Sequence, residues 1–183
     1  MNSTNPQTAR PLMAFCLGIG LFATFDTRAG ADEMPKEGTF TTTFTIIDVG
    51  GKELETIAGH EGWSGEDFIL QMNDAGQGFF HKMSGYCVYA GGTINADGGT
   101  KNNGQCLYSD PEGGTFYTIF EGGKDRKDAQ QKNSVKIAGG TGKYAGIQGQ
   151  YDTMINWLKS PTKSANYGIG HTKGSYKIVP AAQ

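Results

Sequence analysis

The sequence predicts an all-β chain, a single antiparallel barrel of eight or nine strands. Three observations predict it. Short runs of apolar or alternating residues recur between glycine clusters, no stretch carries a helical period, and glycine is abundant at 29 residues while proline is scarce at 6. The runs fall at 39–49, 52–61, 66–72, 78–90, 104–109, 115–121, 134–138, 146–158 and 168–179. Clusters such as Asn73-Asp74-Ala75-Gly76, Asn95-Ala96-Asp97-Gly98-Gly99, Asp110-Pro111-Glu112-Gly113-Gly114 and Gly139-Gly140-Thr141-Gly142 separate them with good turn chemistry. A meander of that many strands protects its edges best by closing on itself. At about eight strands the interior is wide enough for side chains or for one small ligand. A β-sandwich is the alternative.

The barrel is expected over residues 32–183, after a leader. An apolar run from Pro11 to Phe25 follows Arg10 and ends at Asp26, and Ala29-Gly30-Ala31 forms a small-x-small site before the charged Asp32. Residues 1–31 therefore read as a signal peptide cleaved after Ala31, which places the mature protein in the periplasm or outside the cell. The apolar run, about 15 residues, is short against the roughly 20 that span a bilayer, so stable membrane insertion is not expected. The remaining 152 residues suffice for one core and carry 14 basic against 17 acidic side chains. A mildly acidic chain with no basic cluster is a poor partner for nucleic acid.

Cys87 and Cys106 remain after the leader is removed, an even count in an oxidising compartment. Each lies in a strand-like stretch, and the turn-rich 91–104 separates them, as expected of two neighbouring strands joined by a disulfide. Free thiols serving as nucleophile or metal ligands are the weaker reading, since no Cys-x-x-Cys is present. Asp110, before Pro111, reads as the cap of its turn.

Segment 135–151 (VKIAGGTGKYAGIQGQY) resembles the strand–turn–strand of the allene oxide cyclase and dirigent-protein barrels. Those families share a Gly-Gly-Thr/Ser-Gly turn, an aromatic residue two positions on and a glycine-punctuated strand. The stretches 81–87 (HKMSGYC), 104–106 and 110–113 are similar to those of small secreted bacterial proteins. The resemblance implies a calycin-like barrel with an apolar lumen and sparse polar groups, using no cofactor. Gly142-Lys143 also suggests a phosphate loop, but the residue at the required first glycine is Ile137 and the lysine is followed by Tyr144.

Strand phase nominates the lumen residues: Phe44, Ile46, Met83, Tyr117, Ile119 and Tyr151 as the ligand-binding set, with His81 and Glu121 as the catalytic candidates. A carboxylate in an apolar lumen would have a raised pKa suited to proton transfer. The plainer reading makes His81 a half-buried histidine bonded to backbone and leaves Glu121 in water at a strand end. His60, His81 and His171 lack metal-site spacing, so no metal is expected. The sequence is compatible with three functions: binding of one small lipid-like or phenolic molecule in the lumen, a cofactor-independent isomerase or cyclase on the same barrel, and a non-catalytic secreted module acting through an exposed apolar patch on its outer surface.

Overall fold

The computed structural model describes residues 34–57, 60–93, 98–125, 127, 130–162 and 164–179. The expected leader, 1–31, and most of the expected turn at 95–99 lie outside the described residues. Nine strands run in order: β1 (Glu37–Asp48), β2 (Glu53–Ile57), β3 (His60–Asn73), β4 (Met83–Thr93), β5 (Thr100–Ser109), β6 (Thr115–Lys124), β7 (Gln131–Gly140), β8 (Ile147–Leu158) and β9 (Asn166–Ile178). A short 3-10 turn, Gly142–Tyr144, joins β7 to β8.

All pairings are antiparallel, and the ladder β1-β9-β8-β7-β6-β5-β4-β3 closes through β1 against β3. The ring therefore has eight strands, as the barrel reading expects, and the sandwich alternative falls. β2 stands outside the ring and pairs with the first residues of β3, beyond the point where β1 ends. The ladders also run further than the sequence runs suggest. β5 begins at Thr100, where Lys101 and Asn102 pair with Gly92 and Gly91 of β4; a Cβ on Gly91 would collide with Lys101 O and the Trp63 ring.

Cys87 and Cys106 face each other across β4 and β5 and form a disulfide with an S–S distance of 2.05 Å. The bond lies in the core, since both cysteines are buried.

The Gly-Gly-Thr-Gly turn is structural. Gly142 has φ +59°, a conformation that glycine adopts without a Cβ penalty. The turn is tied to the Asp110 turn by the N–H of Thr141 donating to Thr115 O at 2.7 Å and by Tyr144 Oη donating to Asp110 Oδ2 at 3.0 Å. Lys143 Nζ pairs with Asp110 and Glu112, each at 2.8 Å. Asp110 Oδ1 also accepts the N–H groups of Glu112 and Gly114, both at 2.9 Å, so the residue caps its own turn and anchors the next.

Burial alone would raise the Asp110 carboxyl, but bonds from Lys143, Tyr144 and Gly114 outweigh it and hold the group below the ordinary carboxylate range. A depressed folded pKa gives stability that is present above the unfolded value, roughly 3.9, and is lost as pH falls through the folded one. Asp110→Asn is therefore expected to lose about 2 kcal/mol at pH 7. In urea titrations across pH, the gap to wild type should close under strongly acid conditions.

Candidate functional site

The two ends of the barrel differ. At one end the chain between β3 and β4 turns inward at 78–82, with Phe80 and Lys82 at φ +67° and +55°. This turn drives Phe79 and Phe80 into the interior, where Phe80 is 0 % exposed. Phe79 lies 5.0 Å from Phe40 and 4.5 Å from Tyr176 between ring centroids, and Phe80 lies 5.0 Å from Phe116 and 5.5 Å from Tyr151. Asn73 Nδ2 donates to Phe79 O at 2.7 Å and holds the turn in place. That end is closed.

Above the aromatic plug the lumen narrows to a space of about 40 Å³, lined by Phe44, Ile46, Ile69, Tyr151 and Ile155 among others. Its polar members are partly self-satisfied, since Gln71 Nε2 donates to Thr42 and to Thr172. The opposite end opens into a cavity of about 580 Å³, walled by Trp63, Trp157, Tyr89, Gln131, Asn166 and the chain from Asp48 to Glu53. Asp67, Asn102 and Gln131 line both spaces and so form the neck between them.

The neck and mouth carry the site's electrostatics. Asp48 and Asp67 are register partners across β1 and β3. Asp48 is well supplied with donors: Gly50 N at 2.6 Å, Tyr89 Oη at 2.7 Å and Asn166 Nδ2 at 3.0 Å. Asp67 differs, being only 8 % exposed with no hydrogen-bond partner for Oδ1. Burial, with the charge of Asp48 adding to it, pushes the Asp67 carboxyl up to about 7. Burial likewise holds Tyr89 above its ordinary range, reinforced by its bond to Asp48. Asn102 Oδ1 is buried without a partner as well. Trp157 is fixed by its Nε1–H donating to Gln131 Oε1 at 3.0 Å. Among the described residues no group of three His, Cys, Asp or Glu is placed to hold a metal ion.

The residues nominated from sequence separate into three places. Phe44, Ile46 and Tyr151 line the narrow lumen. Met83 is fully buried but packs in the plug cluster and lines neither space, and His81 sits in the 78–82 turn, half-buried and also outside both. Tyr117 and Ile119, at 45 % and 47 % exposure, project outward, and Glu121 shares their phase. The lumen placement of Tyr117 and Ile119 is corrected, while Glu121 is exposed, as its plainer reading has it: on β6 it is Phe116, Thr118 and Phe120 that fill the interior. Asp67 and Asn102, which the sequence reading did not single out, occupy the neck instead.

The eight-stranded closed ring has a solved counterpart. Over 81 % of this chain and 90 % of the other, the structure is similar to that of the pterocarpan synthase dirigent protein GePTS1, with a TM-score of 0.51 and 14 % sequence identity. The fold is dirigent-like. No family model and no curated protein matches the sequence. At that identity the likeness covers the dirigent-like barrel alone, and the chemistry of this one must be read from its own neck.

Asp67 has a consequence for stability. Its folded pKa lies above the unfolded value, so the folded chain holds a proton that the unfolded chain releases between pH ~4 and about 7. Stability should therefore fall as pH rises through that window. Asp67→Asn is expected to stabilise the protein at pH 8 by no more than about 4 kcal/mol, with little effect at pH 4. Urea denaturation at the two pH values measures this.

Proposed function

We propose that this protein is an extracytoplasmic barrel that binds one small, largely apolar molecule through its open end. The apolar part lies against Trp63 and Trp157 and reaches toward the narrow lumen bounded by Phe44, Ile46 and Tyr151. The observation that carries this reading is the cavity of about 580 Å³ at one end, tapering to the neck at Asp67 while the plug closes the other end. The volume suits a drug-sized molecule, and the lining sets the apolar faces of Trp63, Trp157 and Leu158 beside polar groups such as Asp48, Asp67, Asn102 and Asn166 that can orient it. The Cys87–Cys106 disulfide supports an oxidising compartment, in line with cleavage of the leader after Ala31.

A cofactor-independent isomerase or cyclase on the same scaffold would run through the neck. Asp67, with a pKa near neutrality beside a second carboxylate, is the group suited to give or take a proton there. His81 and Glu121 line neither space, which favours Asp67 over them for that role. The resemblance to a dirigent protein agrees with a barrel that holds a small molecule.

A second reading, action through the outer surface, has its own observation. Ile47, Phe68, Tyr86, Leu107 and Tyr117 are successive register partners across five strands, and all are exposed. A continuous apolar row of this kind is a recognised mark of association.

Trp63 and Trp157 are the chain's two tryptophans, so its indole emission reports on the mouth. Titration with the neutral probe N-phenyl-1-naphthylamine should show saturable, one-to-one quenching of that emission. Trp63→Ala and Trp157→Ala should each weaken binding about tenfold, read from probe fluorescence, while Leu107→Gln leaves it unchanged. The reverse pattern would move the site to the outer row.

A further inference from the structure

The neck is a site for hydrogen-bond donors. Its two buried orphan atoms, Asp67 Oδ1 and Asn102 Oδ1, are both acceptors, and both residues line the mouth and the lumen. A buried acceptor without a donor costs free energy that a ligand able to donate would recover. Charge selects further. Among the described residues the mouth is lined by three carboxylates, Asp48, Glu53 and Asp67, and one cation, Lys52. The lining also holds Trp63, Trp157 and Tyr89, and aromatic faces attract a cation. A carboxylate or phosphate head would meet like charge, and a carbonyl head would bring one more acceptor. A hydroxyl can donate once, whereas a primary ammonium donates three times and neutralises a carboxylate.

We propose that the molecule bound at the mouth is an apolar amine, its protonated nitrogen donating to Asp67 Oδ1 and Asn102 Oδ1 while Trp63 and Trp157 cover its apolar body. This rests on the mouth being the ligand site. It adds a substrate class, and with it a dependence on pH. The titratable groups facing Asp67 are Asp48 from β1, Tyr89 from β4 and Tyr108 from β5, with Lys52 and Glu53 at the rim. Burial keeps both tyrosines protonated well above neutrality. Asp67 loses its proton near pH 7, so a cation is held better on the alkaline side.

The experiment compares n-hexylamine with 1-hexanol, two chains of equal length that differ in the head, by competition against N-phenyl-1-naphthylamine at pH 5.5 and 8.5. The amine keeps its charge at both, with a pKa of about 10 like a lysine. Expected is a preference for the amine of about tenfold or more at pH 8.5, shrinking at pH 5.5. Asp67→Asn, which keeps the shape and removes the charge, should abolish the preference, read as the ratio of the two affinities in the same variant. Equal or tighter binding of 1-hexanol to the wild type overturns the proposal and leaves the mouth as a site for neutral molecules. So does an amine preference that survives in Asp67→Asn or is the same at both pH values. Failure of both compounds to displace the probe overturns the mouth as their site, and the amine assignment with it.

Discussion

Phe79 and Phe80 decide which end of this barrel is available. Eight strands leave an interior that side chains can fill, and at one end an inward turn fills it with two adjacent aromatic rings. Two consecutive residues cannot both face inward from a regular strand, so the turn takes Phe80 and Lys82 to positive φ. That conformation costs roughly 1–2 kcal/mol per residue, and burying a phenylalanine stabilises by about 1.5–3 kcal/mol. The edge-on and tilted contacts with Phe40, Phe116, Tyr151 and Tyr176 add to the balance. The Asp110 knot fastens two neighbouring turns at the same end.

With the phenylalanine plug filling that end, the buried polar residues collect in the middle and toward the open end. Gln71, Thr42 and Thr172 bond one another in the lumen, while Asp48 draws its donors from the rim. Asp67 falls between these networks and belongs to neither. An orphan carboxylate oxygen in a buried neck is unfavourable for folding, and such groups concentrate where a protein binds or reacts.

Much of this architecture was legible in the sequence. Glycine-punctuated alternation gave the barrel, residues 135–151 a dirigent-like turn, Cys87 and Cys106 a disulfide between neighbours, and Asp110 a capped turn. Strand phase was the weak link. Period-2 patterning tells which residues share a face without telling which face is inside. On β3 the apolar Phe68, Leu70 and Met72 face out while Asp67, Ile69 and Gln71 face in, the reverse of ordinary patterning. On β6 both phases contain aromatics, so Tyr117 and Ile119 were as plausible inside as Phe116 and Phe120. The outward apolar residues of neighbouring strands form the exposed row, and this hid the neck from a reading that sends apolar residues inward. Met83 is buried, but beside the plug rather than along the lumen, a position that depends on the inward turn at 78–82, where alternation breaks.

The chemistry of the neck depends on Asp67 being a buried carboxyl whose Oδ1 has no donor at the junction of mouth and lumen. Carbon-13 NMR of the side-chain carboxyls in the ligand-free protein, with Asp67 assigned by comparison with Asp67→Asn, tests that most directly. A titration midpoint near 7 that falls when Asp48 is replaced by Asn is the predicted result. A midpoint in the ordinary range near pH ~4 would mean that water or a neighbouring donor already serves the group, and would contradict the account.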